Sequence, residues 1–392
     1  VTDVSPIPGL HAATAELDPP LAALDLTALR ANAADLVRRA RGVPIRVASK
    51  SVRCRAVLEE VLGGGLTAAG GFAGIMSYAL PEAIWLARRG AGDILLGYPT
   101  AHRAALAELG GDETLRAAIT LMIDDVAQLD LIDAVLAGRR ARPRVCLDVD
   151  ASLRIGPLHL GVRRSPIRTP EQAAELARTA RARGYDVVGV MTYEAQIAGL
   201  PDTNPVVRLV KRASALEIAE RRRQVLDAVR SVVGELRIVN SGGSGSIEVS
   251  VASPEVTEVT AGSGLYVPTL FDGYRGFTPR PALFFALPVL RRPARGIATV
   301  FSGGYIASGP AGKSRVPKPV WPSGLRLIGT EGAGEVQTPL TGAPELTVGD
   351  RVWFRHAKAG ELCERFDELH LVDADGTRVA VPTYRGEGRD FG

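Results

Sequence analysis

Lysine is scarce in this chain: Lys50, Lys211, Lys313, Lys318 and Lys358 are all of it, and arginine carries nearly all the other positive charge. Arginine stays protonated, whereas a lysine amine can lose its proton in a desolvated pocket and attack a carbonyl. Lys50 closes the apolar run Pro44-Ile45-Arg46-Val47-Ala48-Ser49, which reads as a buried strand with an amine at its carboxyl end. It is a candidate Schiff-base residue; the plain alternative is a strand-end lysine that snorkels to solvent. Two glycine-rich segments, Ser241-Gly242-Gly243-Ser244-Gly245 and Gly262-Ser263-Gly264, let backbone N–H groups surround a phosphate, with serine hydroxyls as further donors. Other polar residues fall at strand ends: Asp148, Asp150 and Arg154; Tyr193, Glu194 and Gln196; and Asn240. An arginine beside Lys50, as Arg154 would be, hydrogen-bonds a cofactor oxygen and lowers the lysine pKa.

The elements that must position these residues alternate. From Leu24 onward, strand-length apolar runs are followed by amphipathic stretches of helix length, the pattern of parallel β/α architecture. Strands are expected at 45–49, 73–77, 93–97, 118–123, 144–149, 187–191, 236–239 and 258–260, with helices between them, the longest over 205–233. Thr27 is expected to cap the helix 28–41 that precedes the first strand. Eight strands make a closed (β/α)8 barrel of the TIM type, an α/β fold, whose site lies at the carboxyl ends of the strands. Phosphate is commonly held there by the loops after strands seven and eight, where both glycine segments fall. An open doubly wound sheet normally offers one such turn, after its first strand. After about Gly276 short apolar runs at 283–287, 296–301, 325–328, 351–354 and 369–372 are separated by turns, with one helix-length stretch at 359–366. The expected domains are an N-terminal segment 1–26 packing with the β-domain, a barrel 27–275 and a smaller C-terminal β-domain 276–392.

Composition narrows the class. The chain has 392 residues, 46% of them hydrophobic and 23% charged, with a formal charge of +4, which is globular rather than nucleic-acid binding. The basic run Arg221-Arg222-Arg223 sits among Glu217, Glu220 and Asp227 and reads as a solvated helix face. Cys54, Cys146 and Cys363 are too few and too scattered for a disulfide framework. With no leader-like amino terminus and no apolar stretch long enough for a bilayer, a cytoplasmic protein that engages neither membrane nor nucleic acid is expected.

Taken together, the lysine, the glycine cradles and the barrel suit pyridoxal phosphate, whose aldehyde condenses with a lysine. In order along the chain, Val47-Ala48-Ser49-Lys50, Leu147–Gly156 with Arg154, Ser241–Gly245, and Gly262-Ser263-Gly264-Leu265-Tyr266 resemble the motifs of fold-type III pyridoxal-phosphate enzymes. So does the opening segment from Asp18-Pro19-Pro20-Leu21 to Asn32. The resemblance spans essentially the whole chain. It is to the alanine racemase barrel superfamily, most of all the D-threonine aldolase / D-serine dehydratase group and an actinobacterial amino acid deaminase/aldolase-like group.

That resemblance implies pyridoxal 5′-phosphate as cofactor, bound by Lys50, Arg154, Tyr193, Gln196, Ser241, Gly242, Gly243, Ser244, Gly262, Ser263, Gly264 and Tyr266. It implies a homodimer and a small amino acid substrate, D-configured or β-hydroxylated, attacked at Cα. Retro-aldol cleavage ranks first, dehydration with deamination second and racemisation third, the last calling on Tyr266 or Tyr274 as an acid. A non-catalytic cofactor carrier and a cofactor-free sugar-phosphate barrel enzyme are the readings of other classes. Two departures stand out. The relatives hold a divalent metal through a histidine and a second ligand two residues on, where this chain has His356 and Lys358. His356 remains the candidate base and the Lys358 ammonium a candidate substitute for the ion, with Cys363 as an alternative ligand; the metal itself is left undecided. Ser302-Gly303-Gly304 replaces Asp-Ala-Gly, with no role assigned.

Overall fold

The computed structural model describes residues 6–199, 202, 204–274, 276–278, 280–310 and 312–392. The chain divides into two compact units, one formed by residues 35–50, 58–262 and 391–392, the other by 1–34, 51–57 and 263–390.

In the first unit, eight parallel strands among the described residues close a barrel. They are Ile45–Ala48, Phe72–Ser77, Ile94–Leu96, Ile119–Ile123, Arg144–Val149, Asp186–Thr192, Ile238–Ser241 and Glu258–Ala261. The seam closes where Val259 pairs with Ile45 and Ala261 with Val47. Strands buried on both faces read as continuous apolar runs, and Ile119–Ile123 is buried at every position. The interior has a polar element too. Arg46, 1% exposed, reaches from the first strand to Glu258 on the eighth (2.7 Å) and to Asp93 (3.0 Å). Asn240 on the seventh strand donates to the same Glu258 at 2.7 Å.

Local signals set the helix ends. Asp125 and Gln128 form a capping box for Val126–Val135, and Thr169 and Gln172 form another for Pro170–Ala182. Asn204 caps Pro205–Val233, which stops at Gly234 with φ +85°. One expected cap is corrected: the first long helix is Leu26–Ala40, so Thr27 lies inside it, and Asp25 accepts the Ala28 N–H at 3.1 Å. The loop after the fifth strand carries a hairpin, Leu153–Ile155 with Leu158–Leu160, that periodicity does not announce.

The second unit is a nine-stranded sheet among the described residues. Its centre is Leu283–Ala294, which pairs with Leu21–Asp25, Ile297–Phe301 and Arg351–Arg355. Leu21–Asp25 also pairs with Glu368–Val372, so the end of the amino-terminal segment is a strand of this sheet. Lys318–Trp321, Gln337–Thr341 and Arg378–Pro382 are strands that composition gave no reason to expect. The stretch 359–366 holds only a 3-10 turn, Glu361–Glu364, entered through Gly360 at φ +87°. Ile7, Leu10, Leu21, Phe284, Ala286, Trp353 and Val372 pack one apolar cluster. Among the described residues, no helix is long and apolar enough to cross a membrane.

Candidate functional site

Lys50 sits in the 3-10 turn Ser49–Ser51 directly after the first barrel strand, with its side chain exposed. Its Nζ donates to the Tyr98 Oη at 2.6 Å. Tyr98 follows the third strand in the turn Gly97-Tyr98-Pro99. The Arg164 guanidinium lies over the Tyr98 ring at 5.4 Å and over the Tyr193 ring, after the sixth strand, at 5.6 Å. An amine, two phenols and a guanidinium therefore meet at the carboxyl ends of strands one, three and six. Burial would push the Tyr98 phenol up, but the Lys50 charge and hydrogen bond, with Arg164, outweigh it and hold the phenol below its ordinary value. Burial dominates at Tyr193 and pushes that phenol up to about 12. Asp148, 8% exposed on the fifth strand, has its carboxyl pushed up to about 7, first by burial and then by the Asp124 charge, with Arg164 opposing.

Arg154 stands in the hairpin with its side chain 47% exposed and pairs with Asp150 at 2.7 Å. Asp150 is also held by the Ser152 N–H and hydroxyl and by Arg168. Arg164, ten residues on, is the cation of the cluster. Nothing in the pattern Arg163-Arg164 marks it; only the fold of the loop brings it to the two rings. Tyr98 is a polar residue at a strand end, and that position is the signal that marks it.

The turn after strand seven is tightly determined. Gly242 has φ +89°, and a Cβ there would lie 2.8 Å from Ser250 Oγ; at Gly243 it would lie 2.9 Å from the Ala198 Cβ. Ser244 Oγ accepts the Gly262 N–H at 3.2 Å, tying this turn to the one after strand eight. Glu194, fully buried, accepts from Ser241 Oγ at 3.0 Å, Gly242 N–H at 3.2 Å, Ser246 Oγ at 3.0 Å and Ser250 Oγ at 2.5 Å. Ser241 and Gly242 thus spend donors on a carboxylate within the fold, where a ligand role was expected of them. Gln196, 4% exposed, donates to the Ala151 carbonyl at 2.7 Å, while its Oε1 has no hydrogen-bond partner among the described residues.

Ser263, Gly264 and Tyr266 form one helical turn in the second unit. Tyr266 is fully buried, donates to the Val52 carbonyl at 3.0 Å and contacts Cys363. Its phenol is raised well above the ordinary value by burial, so it is committed to packing. Tyr274 stacks on Phe271 at 5.1 Å.

His356, 3% exposed, has neither ring nitrogen in a well-formed hydrogen bond among the described residues. Burial, then the Arg355 charge, pushes its pKa down to about 3, against a weak contact with the Leu283 backbone. It lines a cavity of about 260 Å³ with Tyr305, Ser308, Lys358, Glu361 and Arg365. Lys358 Nζ donates to Ser308 Oγ at 2.6 Å and stands 3.7 Å from Glu361. A metal donor set is a poor fit. Among the described residues no three His, Cys, Asp or Glu side chains converge as ligands, and Cys363 is fully buried against Tyr266. Zinc needs three or four such donors.

The profile of the family described as alanine racemase, N-terminal domain, matches residues 24–269. Among solved structures the chain is similar to D-threonine aldolase from Filomicrobium marinum, at TM-score 0.77 and 20% identity over 95% of this chain and 96% of that one. It is similar to D-threo-3-hydroxyaspartate dehydratase from Delftia sp. HT23, at TM-score 0.72 and 22% identity over 94% and 97%. Alanine racemase of Clostridium difficile 630 gives TM-score 0.65 at 15% identity over 94% and 99%. At these identities the likeness establishes the fold. No curated protein matches the sequence.

Proposed function

This chain belongs to the alanine racemase N-terminal domain family, and on that premise we propose that it is a pyridoxal 5′-phosphate-dependent lyase. Its substrate is a small D-amino acid bearing a β-hydroxyl, cleaved between Cα and Cβ in the manner of a threonine aldolase. The observation that carries the reading is Lys50: an amine at the end of barrel strand one, hydrogen-bonded to Tyr98, with the Arg164 guanidinium over the same ring. The residues fit the cofactor. Lys50 would hold the aldehyde end, and the turn Gly242–Ser244, too close-packed for any Cβ at Gly242 or Gly243 and tied to the Gly262 N–H through Ser244, would hold the phosphate. Tyr193, whose ring stands 3.4 Å from the Cβ position of Gly243, and Gln196, with its unpartnered oxygen, complete the pocket.

When bound, pyridoxal phosphate supplies an electron sink for the pair left by a broken bond at Cα. The chain's own part is proton handling and orientation. Tyr98, whose phenol Lys50 and Arg164 together hold below its ordinary value, accepts the hydrogen bond from Lys50 Nζ and orients the amine. Arg164 fixes the planes of Tyr98 and Tyr193 by stacking. In the second unit, His356 stays neutral at physiological pH, and in the cavity that it lines Lys358 Nζ donates to the Ser308 hydroxyl.

Support for the D-β-hydroxy class comes from the two lyases that the chain resembles, both named for such amino acids. Dehydration with release of ammonia is the second reading, favoured by the Lys358 ammonium, a proton donor suited to a leaving hydroxyl. Racemisation loses one of its two named acids, because the Tyr266 phenol is buried and bonded to Val52. We propose a homodimer, which sedimentation velocity tests, and a cytoplasmic location. The reaction is decided by a panel of D- and L-β-hydroxy amino acids assayed for aldehyde, keto acid and inverted enantiomer. Aldehyde with glycine is the expected product pair; keto acid with ammonia selects the dehydratase reading, and an inverted enantiomer alone overturns both.

A further inference from the structure

Arg222 occupies the middle of the run Arg221-Arg222-Arg223 that reads as a solvated helix face. Arg223 conforms, pairing with Glu220 at 2.6 Å on the surface. Arg222 does not. It is 2% exposed, and each guanidinium nitrogen donates to a hydroxyl: Nε to Thr192 at 2.9 Å, Nη1 to Ser253 at 3.0 Å and Nη2 to Ser241 at 2.8 Å. Among the described residues it makes no ion pair. Taking a guanidinium out of water without a directly bonded carboxylate is costly. Burial pulls its pKa down, and Glu194 is the first charge to offset that.

The hydroxyls it holds connect it to the glycine turn. An arginine only donates, so Ser241 Oγ accepts from Arg222 and must send its own proton to Glu194 at 3.0 Å or to the Thr192 carbonyl at 3.1 Å. Glu194 in turn holds Gly242 and Ser246, at the two ends of the turn. A buried carboxylate behind a phosphate-binding turn fixes its shape but also repels a phosphate dianion. A buried guanidinium sharing the same serine cancels that repulsion.

We propose that Arg222 is a positioning residue for the anion-holding turn Gly242–Ser246: through Ser241 and Glu194 it fixes the turn, and its charge lets a phosphate settle there. The inference rests on the pyridoxal-phosphate reading above. Its test compares two aldehydes, pyridoxal 5′-phosphate and pyridoxal, which differ only in the phosphate. Both are titrated into wild type and Arg222→Met by visible absorbance, with inorganic phosphate as competitor.

Arg222→Met should weaken pyridoxal phosphate by about tenfold or more and blunt the phosphate competition, while leaving pyridoxal unchanged. Arg222→Lys, which keeps the charge, should recover part of the loss, and it carries the comparison alone should Arg222→Met not fold. An equal loss for both aldehydes assigns Arg222 to the fold alone and overturns the proposal, as does an unchanged ratio. A wild type that forms no adduct with either aldehyde overturns the cofactor reading itself, and the inference with it.

Discussion

Tyr98 and Asp148 are the residues whose protons the barrel mouth controls, and each makes a prediction of its own. Burial raises the Tyr98 phenol, but the Lys50 charge and hydrogen bond together with Arg164 outweigh it, so the phenol ionises below the ordinary value of 10. The alkaline limb of the kcat/KM profile should therefore fall below pH 10 in wild type, and Tyr98→Phe should remove that limb and lower kcat about 10²-fold. An unchanged profile assigns the phenol to packing only. Asp148 works through stability. Its carboxyl pKa rises from 3.8 unfolded to about 7 folded, so between those values the native state binds the extra proton. Stability must then fall as pH rises from about 4 to about 7. Asp148→Asn should flatten that slope and be the more stable protein at pH 8, read from urea midpoints at several pH values. These side chains show how unevenly single residues are legible. Lys50 could be picked out by its rarity and its place at a strand end. Arg164 could not, because a loop brings it to Tyr98 and Tyr193, and Arg154 stood closer to the expected pattern.

Strands and helices were far more legible than the loops between them. A parallel barrel buries both faces of each strand, so its eight apolar runs stand out from the amphipathic helices, and every expected barrel strand overlaps an observed one. The C-terminal sheet hides better. Lys318–Trp321 and Arg378–Pro382 are short and each holds a proline and a charge, and the pairing of Lys318–Trp321 is settled by Arg351–Arg355, distant in sequence. The charge pattern misled at Arg221 and Arg222, since a run of like charges does not say which of its side chains point inward. The glycine turn gives the prediction at this scale. Gly242 has φ +89° and no room for a methyl group, so Gly242→Ala should cost about 1–3 kcal/mol in chemical denaturation. It should also weaken pyridoxal phosphate more than pyridoxal.

At the scale of the whole molecule, the fold class was readable because strand count and glycine turns agree on one architecture. The metal question was not, because it turns on what surrounds His356 rather than on its presence. Lys358 stands two residues on, bonded to Ser308, and Cys363 is buried against Tyr266. With no converging trio of donors among the described residues, turnover should be insensitive to a strong chelator. Lys358→Ala should lower kcat at least about tenfold. Loss of activity on chelation, restored by a divalent ion, would contradict both statements. The central claim remains that Lys50 carries the cofactor, and one measurement reaches it most directly. The purified protein, incubated with pyridoxal phosphate and reduced with borohydride, is digested and its peptides are mapped by mass. The account predicts a yellow protein, bleached on reduction, with the pyridoxyl group on Lys50 and on no other lysine. No visible absorption, or a label spread over Lys211, Lys313, Lys318 and Lys358, would contradict it.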